Sequence, residues 1–184
     1  MRRDYTAVHC IGGGANSMVL KAWRIQVGQR MEALAIKLVY ADGSFTNAET
    51  KQLQQEAIAL NQVSFPFVVA LKTSFLSNSV CAIIMEYLDE DSLDKLIIRS
   101  SPFAAMDESE GLFCLTNVLQ GLKHIHSHGF LHRDINPGII VPVLLAEGKR
   151  YVPVDLGITA TTSVTSATRA DTMQSNHTVM RTLS

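Results

Sequence analysis

Gly129-Phe130-Leu131-His132-Arg133-Asp134-Ile135 sets a histidine, an arginine and an aspartate side by side, just after a helix-stopping glycine. Upstream, Asp107–His126 predicts a helix, with Leu112, Leu115, Leu119, Leu122 and Ile125 on one stripe. Ser92–Arg99 predicts a shorter helix before it. Downstream, Ile139–Leu144 and Tyr151–Val154 read as two short strands about a Glu147-Gly148 turn. From Thr159 apolar periodicity vanishes and serine and threonine dominate as far as Ser184. That tail is expected to be a loop or a disordered end.

The part preceding these helices reads as strands. Tyr5–Ile11 is β-rich, and Gly12-Gly13-Gly14 is expected to break it, with Asn16 continuing the turn. Ser17–Ile25 is a second strand, Val27-Gly28-Gln29 a turn, and Ala33–Tyr40 a third strand, apolar except for one lysine. After the Asp42-Gly43-Ser44 turn, Thr46–Val63 follows helical periodicity, with Leu53, Glu56, Leu60 and Val63 on one face, and Pro66 ends it. Phe67–Phe75 and Val80–Tyr87 read as two further strands joined by Ser77-Asn78-Ser79. The expectation is five antiparallel strands with one helix between the third and the fourth.

Composition bounds the possibilities. The chain has 184 residues, 47% of them apolar and 18% charged, enough to bury a core in one domain or two small lobes. A formal net charge of −1 gives no reason to expect nucleic acid or an anionic membrane as partner. No apolar run approaches the roughly 18 residues of a membrane span, and Met1-Arg2-Arg3-Asp4-Tyr5 leads into alternating sequence without a signal-peptide core. Cys10, Cys81 and Cys114 are odd in number and far apart. They read as reduced thiols in a cytoplasmic protein, not as a disulfide framework or a zinc site.

Gly12-x-Gly14-x-x-Ser17-x-Val19 lies between two strands, which excludes the strand-to-helix context of a dinucleotide fold. The GK[ST] of a Walker A loop is absent. Two readings remain: a flap whose backbone N–H groups lie over phosphates, or an ordinary flexible hairpin. Farther along, alternation puts Ala33, Ala35, Lys37 and Val39 on one face of the third strand, so Lys37 sits among small apolar neighbours. Glu56 occupies the apolar stripe of the following helix. A buried charge requires a partner; either Lys37 and Glu56 pair across the sheet–helix interface, or one or both snorkel to water.

Together these motifs resemble the eukaryotic protein kinases, in order from Ile11 to about Gly157. Ile11–Val19 resembles the glycine-rich loop and Ala35-Ile36-Lys37 the strand-three motif. Glu56 stands at the helix-C glutamate, and Phe65-Pro66-Phe67-Val68-Val69 is similar to the segment after that helix. Ile84-Met85-Glu86-Tyr87-Leu88 resembles the hinge, with Met85 as gatekeeper. His132-Arg133-Asp134 resembles the catalytic-loop entry, and Asp155-Leu156-Gly157 the metal-binding triplet, with leucine in place of phenylalanine. The resemblance implies an α+β, two-lobed kinase-like fold: an N-lobe and hinge entry over residues 5–87, a partial helical C-lobe over 88–158, and an activation-segment-like tail over 159–184.

The resemblance also implies roles. Asp134 would be the catalytic base, Lys37 would hold ATP phosphates, and Glu56 would orient Lys37. Ile11, Gly12, Gly13, Gly14, Ala15, Asn16, Ser17, Val19, Ala35, Lys37, Met85, Glu86 and Leu88 would line the ATP site, and Asp155 would bind Mg²⁺. Leu60, His132 and Leu156 would stack between the lobes. The implied partners are ATP and a protein substrate or regulatory protein; the implied reaction is phosphoryl transfer to a serine or threonine hydroxyl.

Two positions depart from the pattern. Asn136 stands where serine/threonine kinases have a lysine, and Ile139 where the family has its Mg²⁺-binding asparagine. The chain also stops where the family continues into GTxxYxAPE, which leaves the leucine stripe of the long helix expected to be exposed. A catalytically impaired pseudokinase, or a fragment acting as a binding or regulatory module, is therefore the alternative. His124, His126, His128 and His132 are better read as dipole-stabilised imidazoles and part of the catalytic-loop motif than as metal ligands.

Overall fold

The computed structural model describes residues 5–25, 31–99, 106–146, 148–155 and 180–182. These fall into two compact units, the chain crossing between them at Asn61/Gln62, Val69/Ala70 and Tyr87/Leu88, with residues 180–182 in the first.

The first unit is a six-stranded sheet. β1 (Tyr5–Gly14), β2 (Ser17–Arg24), β3 (Glu32–Tyr40), β4 (Leu71–Leu76), β5 (Val80–Glu86) and β8 (Met180–Thr182) stand in the order β1-β2-β3-β5-β4-β8. The first five are antiparallel, as the alternation predicts; β8 adds in parallel to the edge of β4. Ala22, Leu34, Ile36, Ala82 and Ile84 make the core of one sheet face, joined by Tyr5, Leu20, Leu38 and Phe75. α1 (Asn47–Gln62) is entered through a capping box: Thr46 Oγ1 accepts the Glu49 N–H at 3.2 Å, and Glu49 Oε2 accepts the Thr46 N–H at 2.8 Å. Thr46, expected inside the helix, is its cap.

Three expectations are corrected here. The three glycines do not break β1. Gly12, Gly13 and Gly14 pair with Val19, Met18 and Ser17, and the reversal falls on Ala15-Asn16. At Gly13 a Cβ would come within 2.9 Å of the Ser17 carbonyl oxygen, so the close hairpin suits a residue without one. β4 begins at Leu71, not Phe67, because the Val68 N–H closes a turn on the Phe65 carbonyl at 3.0 Å. The tail expected to be unstructured contributes β8, whose backbone groups find partners on β4. The Val27-Gly28-Gln29 turn and the 159–179 part of the tail lie outside the described residues.

The second unit is built on α2 (Leu93–Arg99), α3 (Glu108–Ser127), a 3₁₀ turn at Pro137–Ile139, and the hairpin β6 (Ile140–Leu145) and β7 (Gly148–Pro153). Asp107 caps α3, its carboxylate accepting the Ser109 N–H at 3.2 Å. Gly129 ends the helix with φ +81°. Its N–H reaches His126 O at 2.9 Å and the Phe130 N–H reaches Ile125 O at 3.3 Å, a Schellman closure.

Leu93, Cys114, Val118, Ile140 and Tyr151 form the core of this unit. Asn117, buried in α3, accepts the Tyr151 N–H at 3.0 Å and donates to Phe113 O at 3.0 Å, which locks α3 onto β7. Gly121 lets α3 approach the chain at Phe67, where a Cβ would run into the Phe67 carbonyl.

The exposure expected of the leucine stripe is found at three of its leucines and not at Leu122. Ile125 is buried and Leu122 packs on the core, whereas Leu112, Leu115 and Leu119 are each more than half exposed. The inward face is instead Cys114, Asn117, Val118, Gly121 and Ile125. Among the described residues no helix is long and apolar enough to cross a membrane.

Candidate functional site

Strand register builds one face of the first unit. Residues paired directly across antiparallel strands project to the same side. Gly12, Val19, Lys37 and Ile83 therefore form one row across β1, β2, β3 and β5, and Lys21, Ala35 and Met85 form the next. Val19 and Ala35, expected to line the ATP site, and Lys37, expected at the phosphates, share this face. The Lys37 and Glu56 side chains are 16% and 11% exposed, and Nζ lies 3.0 Å from Glu56 Oε1. Glu56 comes from the buried stripe of α1 with Leu53, Ala57 and Leu60. Pairing, one of the two alternatives open from the sequence, is the one observed.

Cys81 on β5 is fully buried beside this pair. Burial pushes its thiol up to about 11, the Glu56 carboxylate adds to the effect, and the Lys37 ammonium opposes it. At the end of β5, Glu86 is tied to Ala70 twice: its N–H donates to Ala70 O and its carboxylate accepts the Ala70 N–H, each at 2.9 Å. Lys21 extends its ammonium over the Tyr87 ring at 3.9 Å, with the Trp23 ring at 5.3 Å. Nothing in the sequence reading assigned this cluster; alternation along β2, placing Lys21 and Trp23 on one side, is the signal that could have found it.

In the second unit the chain turns at Arg133, whose φ of +65° is rare for a residue with a side chain. That turn sends His132 into the interior, 1% exposed, and leaves Asp134 exposed. The Asp134 N–H donates to His132 Nδ1 at 3.4 Å. Burial lowers the His132 pKa from 6.5, against the opposing pull of the Asp155 and Asp134 carboxylates.

Asn136 donates from Nδ2 to Asp134 Oδ1 at 3.0 Å and accepts the Gly138 N–H on Oδ1 at 2.9 Å, capping the 3₁₀ turn. Ile139 closes that turn with no side-chain oxygen to offer a cation. Asp155 follows β7, half-buried.

The lowered His132 pKa has a sign. Between its folded value and 6.5 the unfolded chain binds more protons, so stability is full above pH 6.5 and falls as pH drops through and below it. His124, its pKa also lowered by burial and then by His128, acts in the same direction. Thermal melts from pH 7.5 to 5 should show the midpoint falling on acidification, and the fall should be shallower in His132→Asn. An unchanged acid slope in that variant would place the effect elsewhere.

Among the residues expected at the site, Ile11, Gly12, Gly13, Gly14, Ala15, Asn16, Ser17, Val19, Ala35, Lys37, Glu56, Met85 and Glu86 belong to the first unit; Leu88, Asp134 and Asp155 belong to the second. Within each unit the folding brings together Lys37 with Glu56, and Asp134 with His132 and Asn136. Leu156 and Gly157 lie outside the described residues.

The protein kinase domain model matches residues 5–175. A probable serine/threonine-protein kinase PknB of Lactococcus lactis is 28% identical over 169 residues, 92% of this chain and 26% of that protein. Serine/threonine-protein kinase fray1 of Dictyostelium discoideum is 28% identical over 157 residues, 85% of this chain and 26% of its own length. Germinal center kinase 3 of Caenorhabditis elegans is 30% identical over 162 residues, 84% of this chain and 26% of its own length. The chain thus spans about a quarter of the length of these relatives. A family model that covers nearly the whole chain, over the glycine hairpin, the Lys37–Glu56 pair and the Asp134 loop, makes this chain a member of the protein kinase domain family.

Proposed function

We propose that this chain binds ATP and transfers its γ-phosphoryl group to a serine or threonine hydroxyl of a protein. The observation that carries the reading is the Lys37–Glu56 pair at 3.0 Å, a desolvated cation held on the face that Gly12, Val19, Ala35 and Met85 share. A cation there has nothing to gain from the fold that a neutral residue would not supply more simply. It has a use if phosphate oxygens meet it. The serine/threonine kinases among the relatives support the hydroxyl acceptor.

Each residue then has a task. Glu56 holds the Lys37 ammonium forward, and Lys37 neutralises the α- and β-phosphates. The backbone of residues 11–17 covers the phosphates, Val19 and Ala35 cover one face of the base, and the chain between Met85 and Leu88 meets its edge. Asp134 orients the acceptor hydroxyl and takes its proton; the oxygen bonds to the γ-phosphorus as the bond to the β–γ bridging oxygen breaks and ADP leaves.

Mg²⁺ supplies charge neutralisation at the phosphates when bound, and Asp155 is the residue that would hold it. A carboxylate is the hard oxygen donor such an ion takes, with phosphate and water completing its shell. The free thiols of Cys10, Cys81 and Cys114 suit a reducing compartment such as the cytoplasm.

A thermal-shift titration tests the reading. ATP should raise the melting temperature, and Mg²⁺ should enlarge the rise; by linkage, ATP at a hundred times its Kd adds about 2.7 kcal/mol. No shift with ATP, with or without Mg²⁺, would overturn it. A second reading, a nucleotide-binding regulatory module without transfer, is favoured by Ile139 and by the engagement of Asn136 Oδ1 on Gly138. It expects an ATP shift indifferent to Mg²⁺ and no phosphate on any protein acceptor.

A further inference from the structure

Asn136 holds two positions at once. Its Nδ2 lies 3.0 Å from Asp134 Oδ1 and 3.4 Å from the Asp134 carbonyl oxygen; its Oδ1 takes the Gly138 N–H at 2.9 Å. Gly138 makes the second contact possible, because a Cβ there would already stand 3.0 Å from Asn136 Oδ1 and 3.5 Å from Asp94 Oδ2. Pro137 fixes the backbone between them, and the Ile139 N–H closes the turn on Asn136 O at 3.2 Å. An amide has one oxygen and one NH₂ group. Here the oxygen faces the turn and the NH₂ faces the carboxylate. A carboxylate on an exposed loop is otherwise free to rotate about two torsions, and one donor at 3.0 Å selects one orientation.

We propose that Asn136 is a positioning residue: its NH₂ group orients the Asp134 carboxylate for the acceptor hydroxyl, while its oxygen, turned to the Gly138 N–H, serves the cap and not a cation. The inference rests on the transfer reading above. It gives this chain a substitute for one departure from the family pattern. The orientation that a longer cationic side chain could enforce comes instead from a short neutral amide anchored at its other end.

Asn136→Ser separates the alternatives, because serine keeps an acceptor for the cap and adds no charge beside Asp134, but loses the NH₂ donor. In the full chain we expect an unchanged melting temperature, an unchanged KM for ATP, an unchanged half-saturating Mn²⁺ concentration, and kcat lower by about 10²-fold, the scale of a misplaced catalytic group. Wild-type kcat in Asn136→Ser would reduce Asn136 to a structural cap and overturn the proposal. A changed Mn²⁺ requirement would make it a metal ligand and overturn it equally. A second measurement does not depend on turnover. In ¹H–¹⁵N spectra, Asp134→Ala should move the Asn136 side-chain NH₂ pair, with Gly138 little affected. An unmoved pair overturns the positioning role even if transfer is seen. A wild-type chain that transfers no phosphate, yet shows the moved pair, fails the transfer reading alone.

Discussion

Lys37→Met should abolish both the ATP-dependent thermal shift and any phosphoryl transfer, and should destabilise the first unit by about 3 kcal/mol. The two losses have one cause. Methionine fills the space of the lysine stem but leaves the Glu56 carboxylate, in the buried stripe of α1, without the ammonium 3.0 Å away. The slight exposure of both side chains leaves the stability effect at the low end of the range for a broken buried pair. The double variant Lys37→Met/Glu56→Gln separates function from folding: it should recover much of the lost stability, because a neutral amide replaces a buried carboxylate that has lost its ammonium, and none of the ATP response. Chemical denaturation read alongside ATP titration measures both. If Lys37→Met keeps the wild-type ATP shift, the cation is not at the phosphates and the proposed site is wrong.

Asp134→Asn should leave folding and ATP binding intact and lower transfer by about 10²–10⁴-fold, the usual contribution of a positioned general base. The side chain is exposed and caps no helix, so its loss should change stability by no more than about 0.5 kcal/mol. Asparagine keeps the shape and an acceptor oxygen but cannot take a proton from the attacking hydroxyl. Single-turnover measurement with ATP bound at saturation isolates the chemical step from binding. Equal single-turnover rates in the variant and the wild type would show that the measured transfer does not pass through this loop.

The sequence made the Lys37–Glu56 pair legible because each charge interrupted an apolar pattern whose period was clear: alternation in β3, and the helical stripe in α1. Five antiparallel strands and their order in the chain followed from the same periodicities. Other features depended on geometry that periodicity does not carry. Whether Gly12-Gly13-Gly14 breaks a strand or continues it depends on where the chain reverses, and Ala15-Asn16 took that role. Thr46 could be the first helical residue or its cap until the Glu49 carboxylate was seen to reach back to it. The leucines of α3 form a sequence stripe, yet the buried face is set by what packs on it: Asn117 meeting Tyr151, and Gly121 meeting Phe67. Asn136 reads in sequence as a missing lysine; its two-sided engagement with Asp134 and Gly138 is a property of a three-residue turn.

The parallel pairing of Ser74, Phe75 and Leu76 with Met180, Arg181 and Thr182 bears on how the molecule is made. During synthesis β4 leaves the ribosome long before its outer neighbour exists, so one margin of the nascent sheet exposes open amide and carbonyl groups while the second unit is translated. Joining points so distant in the chain adds only slowly growing closure entropy, but it comes last. That interval is when another nascent chain, or a chaperone, has its best access to the β4 margin.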